Sequence, residues 1–425
     1  MFSTFLDFFT GIKIESAQNH KTKQFWFWLS VSINLGFLGV FKYYDFFVTS
    51  FAEAIAYAGI YLHPTTLNII LPVGISFYTF HGLSYIIDIQ KNRIKAERDF
   101  INYGLFVSFF PLLVAGPIER ATHLLPQIKS ERKFDYSKSV KGLRQILWGL
   151  FKKVVVADNC AIYVDAVFPN YHGASTSQLV LSVFLFAFQI YGDFSGYSDM
   201  ALGIAKLFGI DLLRNFSYPY FSRDIAEFWR RWHISLSSWF RDYVYIPLGG
   251  SKGSVWKKVK NTFIIFLISG FWHGANWTFI IWGILNAIYF TPLLLSQNNR
   301  NHLNIVAENN LLPSLKELMQ ICFTFLLTCI AWIFFRAPSI HIAIDFIHQI
   351  ISNPTKAKID QLSATYSLIS IFILIIMEWL GRHSDIPFSN IKQNKLRRLT
   401  YIIIVLLIFF MGAFVNPRSF IYFQF

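Results

Sequence analysis

The chain has 425 residues, of which 54% are apolar and only 15% are charged. Because a soluble domain carries roughly 25% charged residues, this composition argues against a water-soluble globule. The formal net charge of +14 would suit nucleic-acid binding in a soluble protein, but in a membrane protein it indicates cytoplasmic loops that face anionic lipid.

Nine apolar segments are long enough, or nearly so, to cross the ~30 Å hydrocarbon layer of a bilayer as helices. In chain order they cover residues 25–46, 66–88, 102–117, 143–166, 178–205, 261–295, 316–336, 364–381 and 399–416. We therefore predict an all-α polytopic membrane protein with roughly nine to eleven transmembrane helices.

The third segment, residues 102–117, is short and contains interrupting residues. Pro111, Gly116 and Pro117 break its apolar pattern. A broken backbone is tolerated at membrane depth only where it is buried or lines a cavity. We therefore predict a re-entrant or tilted segment here.

Residues 205–261 form a basic and aromatic stretch that cannot span a membrane. The stretch contains ten basic and four acidic residues, and seven of the chain's twelve tryptophans lie between Trp229 and Trp282. Helices with charged and aromatic faces lie at the membrane interface. We expect a functional site in this stretch or in the span that follows it.

His273 lies about twelve residues into the apolar segment that begins near Asn261. An ionisable residue near the bilayer midplane is costly and faces a protein interior or a watery cavity. Because histidine titrates near neutrality, His273 is a candidate general base toward an alcohol. The alternative is a core histidine hydrogen-bonded to a neighbouring helix, for example through Asn276. The flanking Gly270 and Gly274 open space for a close approach and favour the functional interpretation.

His233 lies forty positions before His273. On helical spacing, Arg230, His233 and Ser237 would share one face. A face of arginine and histidine could receive an anionic cofactor, such as the phosphates of coenzyme A, and Arg231 joins the candidate binding residues. The alternative for the arginines is ordinary snorkelling to lipid headgroups.

Polar side chains inside other predicted spans are further candidates. Asp193, Ser195 and Asp199 lie in the fifth segment, and Glu378 lies in the eighth. Such groups line a cavity or form structural hydrogen bonds, and both interpretations stay open. One alternative function is a multi-pass transporter or flippase in which His273, Asp193 and Glu378 form a proton or substrate path.

Two motifs carry a family resemblance. The first begins at Arg230 and reads Arg-Arg-Trp-His-Ile-Ser-Leu-Ser-Ser-Trp-Phe-Arg-Asp-Tyr-Val-Tyr-Ile-Pro-Leu-Gly-Gly-Ser, and the second begins at Ser269 and reads Ser-Gly-Phe-Trp-His-Gly-Ala-Asn-Trp-Thr-Phe. They resemble the signature of the membrane-bound O-acyltransferase family, above all its bacterial branch of alginate and peptidoglycan O-acetyltransferase membrane subunits. Similar motifs begin at Leu71, Gly116, Gly192 and Phe420. The resemblance thus implies a single domain over residues 1–425, with residues 205–282 as its signature region.

The resemblance implies a ring of tilted helices around a central tunnel, with interfacial and re-entrant helices. It implies that His273 is the catalytic histidine and that His233 is a second one at the cytoplasmic mouth of the tunnel. Asn276, from the same motif as His273, joins the two arginines as a candidate donor-binding residue. Family members usually have more hydrophobic sequence before the part that resembles residues 2–15, so we expect an N-terminally shortened variant.

The C-terminal hexapeptide is similar to a tail that offers its tyrosine as a transient acyl carrier in related acyl-export systems. Tyr422 is therefore a candidate relay nucleophile. The alternative for Tyr422 is an aromatic anchor at the membrane boundary, where tyrosine is enriched.

The reaction implied is transfer of an acetyl group from acetyl-CoA, or another acyl thioester, for O-acetylation of a cell-surface polysaccharide. A base at the midplane would activate a hydroxyl that attacks the thioester carbonyl. We expect a multi-pass protein of the bacterial inner membrane with three partners: the lipid bilayer, the acyl-CoA donor and a periplasmic SGNH-type transferase or another polysaccharide-modification protein. We expect no nucleic acid, bound cofactor or metal. Alginate, peptidoglycan and other exopolysaccharides stay open as acceptors, and teichoic acid D-alanylation is disfavoured by the closer resemblance to the acetyl branch.

Overall fold

The computed structural model describes residues 2–69, 72, 74–352, 361–389, 391–414 and 420–421. Within these residues every regular element is helical, which confirms the predicted all-α class. The chain divides into two compact units, one of residues 1–135 and 208–213 and the other of residues 136–207 and 214–425.

The described part of the first unit contains six α-helices. They are α1 (Phe2–Ser16), α2 (His20–Leu38), α3 (Tyr44–Ala56), α4 (Ile75–Gln90), α5 (Phe100–Ser108) and α6 (Ala121–Lys129). Helix α5 ends at Ser108 and is followed by a short 3₁₀ turn, so the predicted interruption of residues 102–117 is confirmed. Its re-entrant placement stays a prediction.

The described part of the second unit contains eleven α-helices. They are α7 (Tyr136–Phe151), α8 (Asp158–Val167), α9 (Thr176–Leu207), α10 (Ile225–Arg231), α11 (Ile234–Phe240), α12 (Val255–His273), α13 (Trp277–Leu295), α14 (Leu315–Arg336), α15 (Ile340–Ser352), α16 (Gln361–Leu380) and α17 (Asn394–Met411). A π-helical segment, Lys152–Ala157, joins α7 to α8.

Among the described residues, four helical stretches are long and apolar enough to cross a membrane. They are His20–Ala56, Thr176–Leu207, Trp277–Leu295 and Leu315–Arg336. The predicted polytopic membrane class is thereby confirmed. Two other predicted segments, 102–117 and 364–381, form shorter apolar helices, so the total of nine to eleven crossings stays a prediction.

Helix α9 packs against α7 at backbone contact distance. A Cβ atom on Gly196 would lie 2.7 Å from the carbonyl oxygen of Gly149, and one on Gly203 would lie 2.5 Å from that of Gly142. Only residues without a side chain let two helix backbones approach this closely. The glycines therefore allow α9 to lie buried within the second unit.

The predicted segment 261–295 is divided into two helices. Helix α12 ends at His273, and α13 begins at Trp277 with Asn276 as its N-cap. The two helices are close because a Cβ atom on Gly270 would lie 2.2 Å from the carbonyl oxygen of Phe279. His273 is thus the last residue of a helix and not part of a helix interior.

Candidate active site

The two histidines that the sequence singles out lie together in the second unit. Their ring centroids are 6.4 Å apart, although forty positions separate them in the chain. Both are buried, with exposed fractions of 1% for His233 and 7% for His273. The structure therefore places two imidazoles in one enclosed region.

A break in the chain positions His233. Helix α10 ends at Arg231, Trp232 is extended, and His233 adopts a left-handed conformation with φ of 44° before α11 begins. The amide of Ile234 then donates a hydrogen bond to the carbonyl of Asn215. Left-handed backbone is uncommon outside glycine, and strained residues of this kind cluster at functional sites.

This break overturns one expectation from helical spacing. Arg230, His233 and Ser237 do not share one face of a helix, because no continuous helix runs through these residues. The prediction assumed a continuous helix with about 3.6 residues per turn. Instead, one helix ends at Arg231 and a new helix begins at Ile234, after the left-handed His233.

Aromatic rings surround both histidines. The ring of Phe194 meets His233 edge to face with centroids 4.6 Å apart. His273 contacts Trp282 at 5.1 Å and Phe335 at 5.2 Å. Such walls exclude water and strengthen any electrostatic interaction inside the site.

His233 is a neutral imidazole in this environment. Burial lowers its pKa to about 3, because desolvation disfavours the charged form. Neither ring nitrogen has a hydrogen-bond partner among the described residues. Buried polar atoms are normally bonded, so these nitrogens are available to a substrate or to water.

A cavity of about 380 Å³ is lined by Ile234, which follows His233 in the chain, and by both arginine and apolar side chains; neither histidine is among its lining residues. Three guanidinium groups line the charged part, from Arg230, Arg241 and Arg300. The apolar part reaches Ser269 on α12, which lies one helical turn before His273. An elongated ligand with an anionic head and an apolar arm matches this lining.

The predicted donor-binding residues have different surroundings. Arg230 lines the cavity and donates hydrogen bonds to the carbonyls of Asn299 and His302 at 2.8 Å and 2.7 Å. Arg231 pairs with the buried Glu227 at 2.7 Å and does not line this cavity. Asn276 accepts a hydrogen bond from the amide of Thr278 as a helix cap.

Sequence reasoning missed other cavity residues. Arg241 lies within the basic aromatic stretch, which offered a general signal, whereas Arg300 lies in a loop with no motif of its own. The hydroxyl-bearing residues Ser238 and Tyr245, also missed, line the cavity together with the predicted Ser237. Their convergence depends on tertiary packing.

Three of the four polar residues of the predicted spans form bonds within the protein, whereas the hydroxyl of Ser195 has no hydrogen-bond partner among the described residues. Asp193 pairs with Lys153 at 2.8 Å, and Asp199 pairs with Lys152 at 2.6 Å. Glu378 accepts a hydrogen bond of 2.7 Å from the hydroxyl of Tyr191. Asp199 and Glu378 also line a small cavity of about 20 Å³, so both interpretations made from sequence describe part of the arrangement.

Tyr422 lies outside the described residues. The two residues before it, Phe420 and Ile421, are described and buried. Its role as an acyl relay stays a prediction.

Comparison with known proteins identifies relatives over most of the chain. The family model of the membrane-bound O-acyltransferases matches residues 90–335, a range that includes both histidines. A peptidoglycan O-acetyltransferase of Helicobacter pylori is 34% identical over all of this chain and 86% of its own length. A probable alginate O-acetylase of Pseudomonas aeruginosa is 39% identical over 80% of this chain, and one of Azotobacter vinelandii is 36% identical over 91% of this chain and 74% of its own. The match spans 63% of the length of the Pseudomonas aeruginosa relative.

Proposed function

Since the chain belongs to the membrane-bound O-acyltransferase family, we propose that it transfers an acetyl group from acetyl-CoA, or another acyl thioester, for O-acetylation of a cell-surface polysaccharide. The names of its relatives support alginate or peptidoglycan as the acceptor class. The proposed location is the bacterial inner membrane, with the donor on the cytoplasmic side.

The observation that carries this proposal is the pair of buried histidines together with a cavity whose lining combines arginines with apolar side chains and includes Ile234 and Ser269, which lie within one helical turn of these histidines in the chain. The nucleotide phosphates of acetyl-CoA would bind Arg230, Arg241 and Arg300, because guanidinium groups form strong, often bidentate hydrogen bonds with phosphate. The pantetheine arm would then extend along the apolar part toward Ser269. This arrangement brings the thioester to the helical turn that ends at His273.

In the proposed reaction, His273 is the general base. Its imidazole accepts the proton of the acceptor hydroxyl while the hydroxyl oxygen attacks the thioester carbonyl. The bond between carbon and sulfur then breaks, and the thiol of coenzyme A leaves with the proton from His273. His233 would donate a hydrogen bond to the carbonyl oxygen as negative charge develops there.

The first acceptor in this proposal is the phenol of Tyr422, which would carry the acetyl group as an ester. A periplasmic SGNH-type transferase would then move the group to a polysaccharide hydroxyl. The support for this relay is the family resemblance of the C-terminal motif and the burial of the two residues before Tyr422.

The experiment uses the full-length protein in proteoliposomes with acetyl-CoA labelled in the acetyl group. We expect stoichiometric release of free coenzyme A and covalent label on the protein or on an added polysaccharide. The competing transporter function predicts intact labelled thioester inside the vesicles. Accumulation of intact acetyl-CoA without thiol release would overturn the proposal.

A further inference from the structure

The C-terminal residues Phe420 and Ile421 are fixed inside the second unit. Ile421 is 1% exposed and Phe420 is 9% exposed. The backbone amide of Ile421 donates a hydrogen bond of 2.7 Å to Oδ2 of Asp193 on α9. A main-chain group near the C-terminus is thus bound by a side chain more than two hundred positions earlier.

The amide of Ile421 binds one carboxylate oxygen of Asp193, and Lys153 pairs with the other oxygen. Lys153 lies 2.8 Å from Oδ1 of Asp193 and 2.8 Å from Oδ1 of Asp158. A buried carboxylate is costly unless it is paired and hydrogen-bonded. The ion pair with Lys153 leaves Oδ2 to the amide of Ile421 as a charge-assisted hydrogen bond.

The local backbone makes this geometry possible. Lys153 lies in the π-helical segment between α7 and α8, a type of helical bulge that is frequent at functional sites. A Cβ atom on Gly192 would lie 2.9 Å from the carbonyl oxygen of Lys152. The glycine before Asp193 therefore lets α9 approach the segment that supplies Lys153.

The π-helical segment and the start of α8 hold the chain a second time, at the end of α17. The amide of Ala413 donates to the carbonyl of Val154 at 3.0 Å. Asn159 donates to the carbonyl of Met411 at 2.7 Å. Two separated points of the C-terminal region are thus bound within the second unit, one by Val154 and Asn159 and the other by Asp193.

The anchored residues are linked to His233 through one aromatic ring. The ring centroid of Phe420 is 6.4 Å from that of Phe194, and Phe194 in turn meets His233 at 4.6 Å. Phe194 directly follows Asp193 in the chain. One turn of α9 therefore contacts both the C-terminal segment and a candidate catalytic residue.

We propose that Asp193, paired with Lys153, is a positioning residue that docks the C-terminal segment, Phe420 and Ile421, against the aromatic ring that contacts His233. Its effect on the reaction rests on the proposed function, because Asp193 acts through the docked segment and not on the substrate. Whether Asp193 docks Phe420 and Ile421 does not depend on which reaction the protein catalyses. An Asp193 variant that cannot bind the amide releases the segment and slows acyl transfer without weakening donor binding.

The experiment compares two nearly isosteric variants of the full-length protein in lipid nanodiscs. Asp193→Asn keeps an oxygen that accepts the amide of Ile421, whereas Asp193→Leu has none. In both variants Lys153 keeps its ion pair with Asp158. Hydrogen exchange of the Ile421 amide, measured by mass spectrometry, reports the bond directly.

We expect slow exchange of this amide in the wild type and in Asp193→Asn. In Asp193→Leu we expect this amide to exchange about tenfold faster or more, because the loss of a hydrogen bond to a charged group lowers its protection by about that factor. Equal exchange in all three proteins, or equal acceleration in both variants, would overturn the proposal. If Asp193→Leu does not accumulate, Asp193→Ala removes the same oxygen with a smaller side chain and has the same expected result.

Acyl transfer supplies the second readout. We expect Asp193→Leu to lower kcat by about tenfold or more at unchanged KM for the donor, and Asp193→Asn to restore most of kcat. A rise in KM with constant kcat contradicts the positioning role. If the wild type has no transferase activity, the proposed function fails while amide exchange still decides whether Asp193 docks the segment.

Discussion

Replacing Gly270 with alanine tests whether the backbone contact between α12 and α13 sets the position of His273. The new Cβ atom would lie 2.2 Å from the carbonyl oxygen of Phe279, where ordinary contacts begin at 3.4 Å. The two helices would have to separate by about 1 Å, and a misplacement of that size can cost roughly 10²-fold in rate. Overpacking of this kind destabilises by about 1–3 kcal/mol, which a stable protein survives.

The assay is single-turnover acetyl transfer by purified protein in nanodiscs, together with donor binding and thermal unfolding. We expect Gly270→Ala to lose about 10²-fold in transfer rate while donor affinity stays near that of the wild type. Gly104→Ala on α5 is the matched control, because a Cβ atom there meets nothing within 4 Å. If a folded Gly270→Ala protein transfers acetyl at the wild-type rate, the contact between α12 and α13 does not set the position of His273.

Three further predictions concern the cavity, pH and stability. Replacing Arg241 and Arg300 with glutamine raises the KM for acetyl-CoA about tenfold through lost phosphate contacts, and steady-state kinetics should show no such effect for phosphate-free acetyl-pantetheine. The hydrogen bond to Glu119 raises the pKa of His123. Protonated His123 therefore stabilises the folded protein below the pKa of the unfolded state, and this stabilisation is lost as pH rises through the pKa of the folded state. Thermal unfolding should find His123→Gln destabilised at pH 6 and near wild type at pH 9. Glu227→Ala removes the carboxylate that pairs with the buried Arg223 at 3.0 Å and with Arg231 at 2.7 Å, and Arg223 keeps Glu317 at 3.4 Å as its remaining carboxylate partner. This loss should cost about 3 kcal/mol in a denaturation experiment, and an unchanged midpoint contradicts this.

Much of the helical class and the general location of the site could be predicted from the sequence. Long apolar segments require helices in a membrane because backbone groups there must bond internally. His273 stood out as an ionisable residue in such a segment. The basic and aromatic stretch of residues 205–261 likewise indicated the neighbourhood of His233.

The mutual placement of the site residues could not be predicted. The left-handed turn at His233 follows from tertiary contacts, such as the bond from Ile234 to the carbonyl of Asn215, and no glycine indicates it. Arg300 reaches the cavity from a loop about seventy positions after Arg230, and loop packing has no periodic pattern. The hydrogen bond between Glu378 and the hydroxyl of Tyr191 could not be predicted either, because it depends on how two helices pack.

The central claim is that His273 is the base of an acetyl transfer. The measurement that tests it most directly is the single-turnover rate of labelled acetyl transfer by His273→Ala, with the exposed His172→Ala as the control. We expect His273→Ala to lose about 10²–10⁴-fold in rate, which is typical for removal of a general base, while the variant still accumulates and binds donor. The control should keep the wild-type rate. Transfer by folded His273→Ala at the wild-type rate would contradict it.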